Sequence, residues 1–108
     1  MSNRQPLVLI GGGGHCLSCI DVIEQSETFI IKGIIDIKEK KGSRIYGYPV
    51  IGRDEDIPEI CKKIKNFHIA VGQIESAQIR IRLYETVKKA GGILPVIISS
   101  LAYVSKRA

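Results

Sequence analysis

The segment Leu7-Val-Leu-Ile-Gly-Gly-Gly-Gly-His-Cys16 constrains this chain more than any other. Four apolar residues running into four glycines read as a buried parallel strand that closes on a tight turn. From Cys16 to Gln25, the residues Leu17, Ile20, Val22 and Ile23 fall near helical spacing, with Asp21 and Glu24 outside the stripe, so a helix is predicted next. In a strand–glycine turn–helix unit, glycines supply positive φ and let the backbone approach a phosphate closely. The free N–H groups of the helix's first turn then point at the anion. The dinucleotide pattern G-x-G-x-x-G is met at Gly11 and Gly13, but its last position is Cys16. A third glycine normally allows close helix–strand packing, so this cysteine argues against a standard nicotinamide site. Asp36 lies 20 residues beyond Cys16, at the end of the next apolar run, where a ribose-binding acid is expected. The plainer alternative is a tight glycine turn followed by a strand-end Asp that caps the next loop.

The rest of the chain repeats the alternation. Phe29 to Asp36 is β-rich and reads as strand two, followed by the solvated loop Lys38 to Ser43. Ile45 to Ile51 reads as an edge strand or a folded-over loop, because Pro49 argues against a central strand. A helix is predicted from Arg53 to about Lys65, with Asp54 as N-cap and Lys62, Lys63 and Lys65 favouring its end. Phe67 to Val71 is an apolar strand closed by Gly72. A helix from about Ser76 to Ala90 carries Ile79, Leu83 and Val87 four apart on one face, and Gly91-Gly92 stops it. Ile93 to Ile98 is a last strand, and a short polar tail follows. Alternating strands and helices imply a small Rossmann-like three-layer α/β domain, with a mainly parallel sheet of four to five strands and helices on both faces. Ligands in such sheets sit beyond the carboxyl ends of the strands, so Gly11 to Cys16, Asp36 and Gly72-Gln73 face one crevice. Arg80 or Arg82 could add a cation there, or could simply be solvated.

Composition narrows the function classes. At 108 residues the chain makes one small domain, with 44% hydrophobic and 25% charged residues, which argues against disorder. No apolar run approaches the length that crosses a bilayer, and the first residues lack a signal-peptide pattern. Three cysteines do not suggest a disulfide scaffold, so a cytoplasmic protein is expected. Sixteen basic against 11 acidic residues give +5, which fits an anionic ligand without selecting one. Six aromatics and no tryptophan offer little for base stacking, and no nucleic-acid partner is expected. Cys16-Leu-Ser-Cys19 is a C-x-x-C at a helix start, but nothing beside it supports redox chemistry. Cys61 lacks a neighbouring ligand, so no metal site is expected and buried free thiols are the simpler reading. His68 reads as structural. His15 follows the glycines directly, where it could touch a phosphate, act as a base or tie the loop; no catalytic constellation stands out.

Five segments in order carry a resemblance: LVLIGGGGHC, GIID with Asp36, YGYPVIG, AVGQ with IRIRLYE, and ILPVIISSLAYVSKRA. Together they resemble the N-terminal domain of NeuD/PglD-type bacterial sugar acyltransferases, from about Leu7 to Ala108. The resemblance implies a Rossmann-like domain that binds a UDP-linked sugar. It implies a following left-handed β-helix of hexapeptide repeats that trimerises, binds acetyl-CoA between subunits and supplies the catalytic His. By that resemblance Gly11, Gly12, Gly13, Gly14 and His15 would cradle the diphosphate, with His15 at most an auxiliary to catalysis. Asp36 would meet the uridine, and Gly72, Gln73 and Arg80 would line the nucleotide pocket. Two positions depart from the family pattern: Cys16 stands for a common glycine, and Ser99-Ser100 for a His-Pro before the first repeat.

Residues 1–98 are thus expected to form the sugar-nucleotide domain, and residues 99–108 a linker and one hexapeptide turn. One turn cannot stack into a β-helix. The chain is read as a fragment that binds substrate, holds no cofactor of its own and does not transfer an acetyl group alone. Acetyl-CoA and a homotrimer are expected of the full-length protein, and a monomer or weak dimer of the fragment, in surface-glycan biosynthesis. The NeuD branch acylates sialic-acid-type sugars on oxygen and the PglD branch UDP-amino-sugars on nitrogen. Two other readings stand beside this one. The first is a small NAD- or CoA-binding Rossmann module of an oxidoreductase or regulatory protein, which Asp36 would suit and Cys16 and the short second half oppose. The second is a domain whose glycines only make turns.

Overall fold

The computed structural model describes residues 4–11, 14–36, 42–70 and 77–95. Five strands are present: β1 (Gln5–Ile10), β2 (Phe29–Ile35), β3 (Arg44–Ile45), β4 (Tyr48–Gly52) and β5 (Asn66–Ile69). Three α-helices accompany them: α1 (Gly14–Ser26), α2 (Ile57–Cys61) and α3 (Ala77–Lys89). They form one sheet in the order β3-β4-β2-β1-β5. β4, β2, β1 and β5 run parallel, and β3 pairs antiparallel with β4. The expected three-layer, Rossmann-like α/β domain is the observed one.

Alternation along β1 assigns the layers. Leu7 and Leu9 point to one face, where Ile20 and Ile23 of α1 cover them together with Phe29, Ile31 and Ile34. Val8 and Ile10 point to the other, against Ile57 and Cys61 of α2, Leu83 and Val87 of α3, and Phe67. Each such side chain, fully buried, contributes roughly 1.5–3 kcal/mol. β2 could not share its residues this way with a regular pleat, because Ile31 and Ile34 are an odd number of residues apart. A register shift opposite Leu7 and Val8 resolves this: Leu7 pairs with Ile31 and Val8 with Gly33, leaving Lys32 as the extra, exposed residue. Beyond the bulge, Gly33 lies so close to Ile51 that an added Cβ would come within 2.6 Å of its side chain.

Four expectations are corrected. The segment from Ile45 to Ile51 is neither a single edge strand nor a loop but the tight β3–β4 hairpin, turning through Tyr46 and Gly47, both at positive φ. β4 lies inside the strand order, and it tolerates Pro49 because pairing with β2 begins only at the next residue, Val50 with Ile34. The helix predicted from Arg53 to Lys65 is a 3-10 turn, Asp54–Asp56, followed by five residues of α2. Pro58 has no N–H to give Asp54, so an α-helical ladder cannot start there. The N-cap is Arg53 rather than Asp54; the Arg53 N–H donates to the Asp56 carboxylate at 2.9 Å. Lys62, Lys63 and Lys65 fall beyond the end of α2 instead of within its last turn.

The remaining elements match their expected positions within two residues. α1 begins at Gly14, inside the glycine run, and α3 spans Ala77–Lys89 with Leu83 and Val87 buried and Ile79 half-buried. The Gly91 N–H reaches the Lys88 carbonyl at 3.1 Å and the Gly92 N–H the Val87 carbonyl at 2.8 Å, with Gly91 at φ +87°. That is the paired closure of a Schellman stop. Of the last predicted strand, Ile93 makes a parallel bridge to Asn66, while residues 96–98 and the tail 99–108 lie outside the described residues.

Candidate functional site

In this topology the chain leaves β1 through α1 to one side, reaching β2 and then β4, and returns to the other side at β5. The strand order therefore reverses between β1 and β5, the place where open α/β sheets bind ligands. Four backbone segments are hydrogen-bonded side by side along this edge. The Gly11 N–H donates to the Ile35 carbonyl at 2.7 Å, the Ala70 N–H to Ile10 at 2.7 Å and the Asp36 N–H to Gly52 at 3.2 Å. Gly52, Asp36, Gly11 and Ala70 thus form one continuous rim.

Gly11 is where the chain turns off the sheet. Its φ is +103°, a conformation that L side chains rarely adopt, so glycine is required there for backbone reasons alone. Three residues later α1 begins, with Gly14 and His15 as its first two residues. The first-turn N–H groups, which have no partner within the helix, and the positive end of a 13-residue helix lie next to the turn. Asp36 stands on the adjacent strand end and is only 7% exposed, although it belongs to the rim.

The two candidate arginines separate. Arg82 reaches Asp54 at 3.8 Å, an exposed pair on the α2 side. Arg80 acts on Cys19 of α1: burial pushes the Cys19 thiol up, and the Arg80 guanidinium pulls it partly back. Arg80 itself is exposed in the first turn of α3. Of the sequence candidates, Gly11 and Asp36 are brought together, with the backbone of Gly14 and His15 beside them, while Arg80 is exposed near the start of α3. Gly12, Gly13, Gly72 and Gln73, and the His15 side chain, lie outside the described residues.

Cys19 and Cys61 are free thiols on opposite faces of the sheet, so they cannot serve one site. His68 is half-buried in β5 between Phe67 and Ile69. Gly52 is a rim residue that sequence reasoning passed over. A Cβ there would meet the Asp56 carboxylate at 2.7 Å, so its bareness lets the 3-10 turn close against the sheet. The signal was available: Gly11, Gly52 and Gly72 each follow an apolar run directly.

Comparison with known proteins agrees with this fold. Residues 6–87 match the model of the PglD N-terminal domain family. Perosamine N-acetyltransferase from Caulobacter crescentus, solved with CoA and GDP-perosamine, superimposes with a TM-score of 0.74 at 25% identity, over 88% of this chain and 43% of that one. The acetyltransferase domain of PglB from Neisseria gonorrhoeae gives 0.68 at 25% identity, over 90% and 45%. That domain has also been solved with acetyl coenzyme A. The chain thus spans less than half the length of these transferases. The Rex-family repressor RSP, in complex with NADH, shares the fold with a TM-score of 0.61 at 21% identity, over 96% of this chain and 59% of that one. Among curated proteins, no sequence matches the chain.

Proposed function

The chain belongs to the PglD N-terminal domain family, and from that premise we propose that it is the sugar-nucleotide-binding part of a bacterial sugar acetyltransferase. The ligand class is a UDP-linked sugar. The observation that carries this reading is the Gly11 turn at positive φ, opening directly into the N-terminus of α1 beside the buried Asp36. A diphosphate would lie on the glycine turn and the helix N-terminus, where N–H groups and the helix dipole favour negative charge. Asp36 would accept hydrogen bonds from the nucleoside, and Arg80 would face the phosphates from α3. His15, Gly72 and Gln73 would complete the pocket. The Caulobacter transferase, solved with a GDP-linked sugar, supports a sugar nucleotide as the class.

The chemistry proposed for the whole enzyme is direct acyl transfer. The sugar's amine or hydroxyl attacks the thioester carbonyl of acetyl-CoA, a base takes its proton, and the C–S bond breaks to release the CoA thiol. In that scheme this chain binds and orients the acceptor, and acetyl-CoA belongs to the remainder of the enzyme.

A second reading, an NAD-binding module, draws on Asp36 at the end of β2, a position that suits a ribose. Calorimetric titration of the chain with UDP, UDP-N-acetylglucosamine, GDP and NAD separates the two. Binding of the uridine ligands, weakened about tenfold or more in Asp36→Ala by loss of a charge-assisted hydrogen bond, is the expected result. Binding of NAD alone would replace this reading with the second.

A further inference from the structure

Opposite the nucleotide rim, the amino edge of the sheet carries a concentrated basic surface. We propose that this edge, on its α2–α3 side, docks the protein peripherally onto a bilayer containing anionic phospholipids. Lys62, Lys63 and Lys65 are exposed in the turn between α2 and β5, and Lys88 and Lys89 are exposed in the last turn of α3. Hydrogen bonds place the two groups together. The Ile93 N–H donates to the Lys65 carbonyl at 2.7 Å, the Phe67 N–H to Ile93 at 2.9 Å, and the Gly91 N–H to Lys88 at 3.1 Å. Five of the chain's 16 basic residues therefore converge where β5 starts and α3 ends.

The opposing charge nearby is small. Glu59 pairs with Lys62 at 3.1 Å, and Glu85 lies one turn before Lys88 and Lys89 on α3. The other carboxylates at this end, Glu24 and Glu27, belong to α1 and its exit on the opposite face, and Glu24 is engaged by the Tyr48 hydroxyl.

Two further features point to a lipid surface. All five cations are lysines. Their long stems and compact ammonium heads suit a diffuse layer of phosphate headgroups, whereas reading nucleic-acid bases favours the planar fork of arginine. Large apolar groups are also exposed beside them: Ile93 and Tyr84 are each 51% exposed, and the Lys88 ammonium lies 5.7 Å from the Tyr84 ring. An apolar residue and an amphipathic ring among lysines form an interfacial surface. Among the described residues, no helix is long and apolar enough to cross a membrane, so this contact would be peripheral. The carboxyl edge of the sheet lies on the far side.

The test is sedimentation of the full chain with vesicles of phosphatidylcholine alone and of an equimolar phosphatidylcholine–phosphatidylserine mixture. Each lysine near an anionic surface strengthens partitioning about fivefold, so Lys63→Glu/Lys88→Glu/Lys89→Glu is expected to weaken binding to the mixed vesicles at least about 100-fold. High salt should release the native chain. A control, Lys32→Glu/Lys38→Glu/Lys40→Glu, changes the net charge equally and should bind nearly as the native chain does. Thermal melts of both variants establish that they fold. Equal loss in the two variants would overturn the proposal, because net charge alone would then account for binding. So would equal binding to both vesicle types. Binding to polyuridylate that the first variant abolishes, with no preference for the mixed vesicles, would instead make this edge a nucleic-acid surface.

Discussion

Gly11 holds a backbone angle that no side chain tolerates well, and it does so where the chain leaves the central strand for helix α1. Changing Gly11 to Val forces a β-branched residue to φ +103° and costs about 1–3 kcal/mol. The loss would appear as a lower denaturation midpoint. Because the turn also presents α1's N–H groups, the variant that remains folded is expected to lose sugar-nucleotide binding in calorimetry. Asp36 makes a complementary case: its backbone N–H donates to Gly52, and its carboxylate is buried at the end of β2. At this scale much could be read from the sequence. The glycine run after an apolar strand and the Asp at the end of the next strand name two residues of the rim, because parallel strands place their carboxyl ends together. Gly52 escaped notice because its importance depends on a contact, with Asp56, that only the folded 3-10 turn creates.

Among the elements, α3 and its stop were the most readable, since a helical apolar stripe and a Gly-Gly terminus are both local signals. The stop can be dissected. A Cβ on Gly91 meets nothing within 4 Å, so Gly91→Ala carries only the cost of φ +87°, about 1 kcal/mol. Gly92→Ala would press on the Val87 side chain at 2.7 Å and the Val87 carbonyl at 3.2 Å, and should cost more. Comparing the two melting temperatures checks this order. The Tyr48–Glu24 hydrogen bond joins the β3–β4 hairpin to the end of α1. Burial, the hydrogen bond and the Glu24 charge push the Tyr48 hydroxyl up to about 12 from 10.0. A raised folded-state value means that this stabilisation is complete below pH 10.0 and is lost as pH rises toward about 12. In Tyr48→Phe that part of the alkaline destabilisation is expected to disappear, as pH-dependent chemical denaturation would show. The bulge at Lys32 and the short α2 could not be read from period and propensity. The first follows from packing both faces of β2, and the second from where Pro58 falls relative to the preceding turn.

As a whole molecule, the domain sets different residues on the two edges of one sheet. The carboxyl edge gathers Gly11, Asp36 and the start of α1 at the point where strand order reverses, and the amino edge carries the lysines. Binding and orientation of an acceptor sugar belong to the first edge in the proposed function, with transfer left to the rest of an enzyme more than twice this chain's length, as in the Caulobacter relative. The most direct test is an amide chemical-shift map of the isotope-labelled chain during titration with UDP. The account predicts saturable shifts concentrated at Gly11 to Cys16, Asp36 and Ala70 to Gln73, with the lysine turn at 62–65 unmoved. Saturable shifts confined to any other surface, or none at millimolar UDP while NAD shifts the same rim, would contradict it.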